Sequence, residues 1–281
     1  MERAVTVAGL LAEGAARLPR REGLPDPRRE ALWLLARAWG RTETAVRLDP
    51  AAVVPEEVVR RFREWIVRRA AGEPAHYLTG TCPFWGRLFA VTPDVLIPRP
   101  ETELLVDLAL RERSGGPERV LDVGTGSGCL AVTLALERPS WRVVATDRSL
   151  AALRVAASNV RRLGAPVRLV AGDLAAALRG PFDLVVANLP YVPSAELATL
   201  PVEVRREPPA ALDGGEDGLD AVTALVADLP RLLAPGGVAL LEVGPGQAAE
   251  VARRAPAALE TGPAVRDLAG VERVVRLAAR S

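Results

Sequence analysis

The 281-residue chain has no lysine; its 36 cationic side chains are all arginine, set against 35 acidic ones for a net charge of +1. Proteins that hold nucleic acid concentrate positive charge, so a near-neutral chain offers no such signal. Histidine occurs once, at His76, so a Ser-His-Asp triad or a multi-histidine metal site has little to draw on. His76 is read as structural, and no metal is expected. Cys82 and Cys129, the only cysteines, lie far apart without metal-ligand spacing and read as reduced structural thiols. No apolar run approaches the ~20 residues needed to span a bilayer. The opening Met1-Glu2-Arg3 is not followed by the apolar block of a signal peptide. A cytoplasmic protein without membrane contact is expected. Side-chain amides are confined to Asn159, Asn188 and Gln247, alongside 24 prolines. That balance suits a heat-adapted protein, and equally a GC-rich genome whose codons favour Arg, Ala, Gly and Pro.

The composition, 49% hydrophobic and 25% charged, leaves room for one large or two medium cores. Residues 1–72 read as helices. Thr6 can cap a segment carrying Val7, Leu10, Leu11 and Leu18. Asp26-Pro27 opens a second with Ala31, Leu34, Leu35 and Ala38, closed by Gly40. Pro55 opens a third with Val58, Phe62, Trp65 and Ile66 on one face, ending at Gly72. Residues 73–100, with Tyr77-Leu78-Thr79-Gly80 and Phe84 to Phe89, lack a helical period and predict a β-hairpin linker.

Over 101–281, strands and helices alternate. Strands are expected at 120–123, 141–146, 167–171, 182–187, 237–243 and 271–277. Helices are expected after the first strand through Arg138, then at 150–163, 219–233 and 247–258. Such alternation predicts an α/β fold with a mostly parallel, doubly wound sheet, preceded by a small all-α domain.

The strongest local signal is Leu121-Asp122-Val123-Gly124-Thr125-Gly126-Ser127-Gly128, where the first strand turns into its helix. Ligands of this fold bind beyond the carboxyl ends of the strands. Glycines there allow close backbone approach and positive φ. The spacing of Gly124, Gly126 and Gly128 is not the Gly-x-Gly-x-x-Gly dinucleotide fingerprint; it resembles the S-adenosylmethionine-binding loop of class I methyltransferases. Asp147 ends the next strand at about the spacing where an acid meets ribose hydroxyls. Gly172-Asp173-Leu174 follows the third strand, where such proteins place adenine contacts; the alternative is that Asp173 merely caps a short helix.

The fourth strand ends in Asn188-Leu189-Pro190-Tyr191. This resembles the Asn-Pro-Pro-Tyr motif of methyltransferases that act on planar nitrogens, either glutamine amides or adenine amines. The lone pair of such a nitrogen is delocalised, so the nitrogen is a poor nucleophile. The Asn188 side-chain oxygen and the Leu189 carbonyl can each accept one of its N–H groups, aiming it and favouring the charge it develops. Tyr191 can stack on the flat group. Leu189 departs from the motif's usual proline: its carbonyl is retained, but φ is unlocked and an N–H is added.

Phe84-Trp85-Gly86 and Leu96-Ile97-Pro98-Arg99-Pro100-Glu101-Thr102-Glu103 resemble the signature of the HemK/PrmC family, the release factor glutamine N5-methyltransferases. Glu207-Pro208 and Ala211 to Gly218 match a further block, so the resemblance spans nearly the whole chain. It implies S-adenosylmethionine as cofactor, held by Gly124, Thr125, Gly126, Ser127, Gly128, Asp147, Asp173 and Leu174, with Asn188 adjoining it. It implies the Gly-Gly-Gln loop of class 1 peptide chain release factors as substrate, its glutamine held by Asn188, Leu189, Pro190 and Tyr191. Arg99 and Glu101 would line the substrate mouth or form an internal ion pair. Residues 1–72 would help dock the release factor. A monomer is expected. The rivals are a ribosomal-protein glutamine methyltransferase, a DNA adenine methyltransferase and a non-catalytic binder of the cofactor. Residues 1–72 hold 14 arginines against 10 acids, an excess of +4 that leaves −3 for the remainder, a poor match for DNA around the site. Mere cofactor binding would not need the Asn188 to Tyr191 motif.

Overall fold

The structure, a computed structural model, describes residues 4–20, 25–113, 116 and 118–280. Met1-Glu2-Arg3, on which the signal-peptide reading rests, lies outside them. The chain forms two compact units, one of residues 1–80 with 202–206, the other of 81–201 with 207–281.

The first unit contains α1 (Val7–Arg17), α2 (Pro27–Trp39), α3 (Glu43–Leu48), α4 (Glu56–Ala70) and α5 (Ala75–Thr79). Thr6 caps α1 by accepting the Gly9 N–H, and Asp26 caps α2 by accepting that of Arg28 at 2.9 Å. Gly40 closes α2 at φ 67°. Leu10, Leu34, Leu35, Phe62 and Ile66 fill the core. Phe62 packs so closely on α1 that a Cβ on Gly14 would lie 2.6 Å from its ring. Beneath them Arg69 is buried between Glu30 at 2.6 Å and Glu203 at 3.0 Å, so the returning segment 202–206 is pinned to α4. One expectation is corrected. Tyr77 to Thr79 form no strand but the short helix α5, opened by Pro74 and closed by Gly80 at φ 72°, with Tyr77 and Leu78 buried. The helical unit accordingly runs to Gly80 rather than to Gly72.

The second unit opens with a hairpin, β1 (Thr81–Phe84) and β2 (Arg87–Ala90). Its turn, Trp85-Gly86, has φ of 48° and 69°, the doubly left-handed geometry that suits a tight two-residue connection. Then follow α6 (Glu103–Glu112), β3 (Arg119–Val123), α7 (Cys129–Glu137), β4 (Arg142–Asp147), α8 (Leu150–Leu163), β5 (Val167–Ala171), β6 (Phe182–Asn188), α9 (Asp220–Leu232), β7 (Leu233–Glu242), α10 (Ala248–Arg254), β8 (Leu259–Thr261), β9 (Val265–Arg266) and β10 (Glu272–Ala279). The sheet order is β5-β4-β3-β6-β7-β10-β8, with β9 also paired to β10. The strands from β5 to β7 are parallel, and β10 runs antiparallel to its neighbours. Side chains alternate between two cores: Val120, Leu184, Val186 and Leu240 face one, Leu121, Val185, Ala187 and Leu241 the other. Both faces are covered by helices, which is why these strands read as unbroken apolar runs. The chain winds outward from β3 through β4 to β5, then returns to place β6 on the other side of β3. That reversal opens a crevice beyond the carboxyl ends of β3 and β6. The last helix, expected to reach Ala258, stops at Arg254 two residues before Pro256.

Candidate active site

A cavity of about 700 Å³ lies at this crevice, a size in the range of small-molecule sites. Gly124 and Gly126 turn the chain away from β3 at φ of 75° and 54°. Their loop is tied to β4: the Gly124 and Thr125 N–H groups both donate to the Thr146 carbonyl at 2.9 Å. Asp147 extends the tie, its carboxylate accepting from the Gly126 N–H at 2.9 Å and the Ser149 N–H at 2.8 Å. Each oxygen keeps lone-pair capacity toward the cavity. Asp122, wholly buried beneath the loop, accepts from the Thr125 hydroxyl at 2.7 Å and the Ala131 N–H at 3.2 Å. Its other oxygen has no partner, and burial pushes its pKa up to about 7. Asn159 clamps the loop from α8, donating to the Ser127 and Ala90 carbonyls at 2.9 Å each.

Thr125, Ser127, Asp173 and Leu174 also line the cavity. Leu174 holds φ 45°, unusual for a residue with a side chain. Gly128 is not on the wall; at φ 82° it starts α7 and lies against Ala156, 3.3 Å from where a Cβ would sit. Asn188, Leu189 and Pro190 complete the far wall. The Asn188 side-chain N–H donates to the Thr102 hydroxyl at 2.9 Å, which leaves the side-chain oxygen as the group available to accept. Leu189 is buried against the glycine loop, so a Cβ on Gly124 would meet its Cδ2 at 2.8 Å. Tyr191 does not line the cavity; it is half-buried near Glu242, Arg273, Arg99 and Glu101, and burial raises its pKa. Its carbonyl accepts from Gln247 at 2.9 Å.

Of the Arg99 and Glu101 pair, Arg99 reaches the wall while ion-paired to the buried Glu207. Glu207 also accepts the Ile97 N–H at 2.9 Å, so Arg99 is held by an internal pair. Glu101 is exposed and off the wall. The 211–218 block supports the loop after β6: Val192 and Leu212 are hydrogen-bonded at 3.0 Å, as are Gly214 and Val192 at 2.9 Å. Asp213 accepts from the Ser194 hydroxyl at 2.6 Å. Two parts of the resemblance's signature also touch, because the Trp85 N–H donates to Glu103 at 2.7 Å.

Sequence reasoning passed over Thr102 and Glu242. The latter is buried, stands opposite Asn188 in the β6–β7 register, and has its pKa pushed to about 7 by burial. A lone carboxylate in the apolar run Val238 to Val243, at the ligand end of a strand, was the visible signal. Cys82 and Cys129 are buried thiols with pKa values pushed to about 12 by burial, in keeping with structural roles.

Among solved structures, a methyltransferase from Pyrococcus furiosus matches with a TM-score of 0.55 at 18% identity, covering 78% of this chain and 98% of its own. A 16S rRNA methyltransferase from T. thermophilus in complex with AdoMet and guanosine matches at 0.51 and 21%, covering 72% and 50%. With the sheet order and the glycine loop at its switch point, these define a class I methyltransferase fold. Family models described as the PrmC N-terminal domain and the methyltransferase small domain match residues 9–80 and 100–203. The release factor glutamine methyltransferase of Deinococcus radiodurans is 42% identical over 95% of this chain and 96% of its own. That of Moorella thermoacetica is 45% identical over 96% and 97%, and that of Rhodospirillum rubrum 44% over 89% and 78%. The chain belongs to the release factor glutamine methyltransferase family.

Proposed function

We propose that the protein transfers a methyl group from S-adenosylmethionine to the side-chain amide nitrogen, N5, of the glutamine in the Gly-Gly-Gln motif of class 1 release factors. The observation that carries this reading is the fixed Asn188 amide: its nitrogen is engaged by Thr102 at 2.9 Å, so its oxygen is left to accept an N–H of a planar amide. The cavity suits the cofactor. The Gly124 and Gly126 turns admit close backbone approach, Asp147 has acceptor capacity for ribose hydroxyls, and Asp173 and Leu174 lie where adenine would sit. When bound, S-adenosylmethionine supplies an electrophilic methyl group.

The remaining work falls to the chain's own residues. Asn188 Oδ1 and the Leu189 carbonyl accept the two amide protons of the glutamine, which fixes the amide plane and directs its nitrogen. Both acceptors interact more strongly as positive charge grows on that nitrogen, so they favour the transition state over the ground state. Pro190 keeps the loop stiff. Tyr191 sits behind it, its carbonyl held by Gln247. The proton becomes acidic as the nitrogen is alkylated, so no strong base is needed. Arg99, held by Glu207, stands at the cavity wall.

A single glutamine presents too few atoms to select one protein. We assign the second contact surface to the helical unit, where the exposed Arg28 and Arg47 line an apolar groove with Leu11 and Leu32. We further propose that the protein acts as a monomer in the cytoplasm. Incubation with labelled S-adenosylmethionine and, in separate tubes, release factor, ribosomal protein and duplex DNA tests the substrate. Label is expected on release factor; label on DNA or ribosomal protein alone would overturn the assignment.

A further inference from the structure

An asparagine amide is nearly symmetric in shape, and its two faces have opposite chemistry. If the side chain of Asn188 turned over, it would present N–H donors to the N–H groups of a glutamine, and the site could not orient its substrate. Something must hold the nitrogen inward. Thr102 alone is insufficient, because a hydroxyl donates as readily as it accepts.

The deciding group is Glu242. It ends β7 directly opposite Asn188 and is 3% exposed, and the nearby Thr102 and Asn188 side chains both favour its ionised form. Its Oε2 is buried with no partner. An ionised carboxylate only accepts, so beside Asn188 it admits the nitrogen and excludes the oxygen. By accepting from the Thr102 hydroxyl it would also turn the Thr102 oxygen toward the Asn188 N–H, which donates to that oxygen at 2.9 Å. We propose that Glu242, acting through Thr102 and Asn188, is the positioning residue that fixes the orientation of the Asn188 amide for methyl transfer. This rests on the reading of Asn188 as the amide acceptor.

The device is sensitive to pH. Burial lifts the Glu242 carboxyl to about 7, opposed by Thr102, Arg273 on β10 and Asn188, and reinforced by Glu101 ahead of α6. Tyr191, in the loop after β6, is the other titratable group that faces it. Below pH 7 the protonated carboxyl gains an O–H donor, tolerates either amide orientation, and loses the negative charge that favours the reacting nitrogen. Activity therefore rises with pH through about 7.

The test uses the full chain with release factor at saturating S-adenosylmethionine, and measures kcat and KM from pH 5.5 to 8.5. Glu242→Gln keeps the shape and mimics the protonated form. It is expected to lower kcat about three- to tenfold at pH 8, with KM and cofactor affinity near wild type. Its profile should be flat across the range and coincide with the acid plateau of the wild type. Thr102→Val should lose rate similarly, and Thr102→Ser should recover most of that loss. A wild-type limb that persists in Glu242→Gln overturns the proposal, as does an unchanged kcat. If Glu242→Gln does not fold, the Thr102 pair and the wild-type limb decide alone, and a flat wild-type profile refutes it. Asn188→Ala separates the two levels: a severe loss there with full activity in Glu242→Gln refutes only the positioning role, while full activity in Asn188→Ala refutes both.

Discussion

Replacing Gly124 by alanine tests whether the glycine loop after β3 and the Asn188–Tyr191 loop after β6 are mechanically coupled. Gly124 sits at φ 75°, and a Cβ there would lie 2.8 Å from Leu189 Cδ2. Left-handed backbone with a side chain costs about 1–2 kcal/mol. Leu189 is 5% exposed and packed into the larger core, so moving it is an overpacking cost of about 1–3 kcal/mol. The smaller entropy of an unfolded alanine returns about 0.4–1 kcal/mol. Gly124→Ala should therefore destabilise the protein by about 1–4.5 kcal/mol in urea unfolding, and weaken S-adenosylmethionine binding in calorimetry. In Gly124→Ala/Leu189→Ala the contact vanishes while the φ cost remains. The double-mutant cycle should then show a favourable coupling of about 1–3 kcal/mol. Additivity within about 0.5 kcal/mol would mean that Leu189 does not bear on the glycine loop, and would refute the reasoning.

Asn188→Ala removes a preorganised acceptor and should cut kcat about 100- to 1,000-fold with cofactor affinity retained; near-normal turnover excludes the assigned role. Asp147→Ala loses charge-assisted contacts worth about 1.5–3 kcal/mol each, so calorimetry should show cofactor binding at least tenfold weaker. The Asp122 carboxyl has its pKa raised by burial from 3.8 to about 7, so between those values the folded state holds a proton that unfolding releases. Its contribution is complete below pH 3.8 and is lost as pH rises through about 7; Asp122→Asn should flatten the fall in urea stability over that window, and an unchanged slope contradicts it. Arg28→Glu with Arg47→Glu should raise KM for release factor while sparing turnover of a short Gly-Gly-Gln peptide; an unaltered KM removes the helical unit from docking.

Much of the second unit was legible because local signals agree with its packing. The expected ends of α8 match Leu150–Leu163, since Ser149 caps it by accepting the Ala152 N–H and Gly164 closes it at φ 68°. The Val167–Ala171 strand likewise matches at both ends. The five-residue α5 is too short to display a period, and its aromatic composition mimics a strand. Strands β8 and β9 are two or three residues long and exist only through pairing with β10, a long-range condition that no local window contains. The site divides in the same way. Its glycine loop and Asn188 to Tyr191 announce themselves by motif. Thr102 meets Asn188 across 86 positions of chain, so its role depends on the fold being assembled.

The central claim is that one particular amide nitrogen receives the methyl group. Its most direct test is fragmentation mass spectrometry of release factor after reaction with the wild-type protein. A single added methyl is expected on the side-chain amide of the Gly-Gly-Gln glutamine, and none on a release factor in which that glutamine is replaced by glutamate. A methyl group on any other residue, or on a backbone nitrogen, would contradict the account.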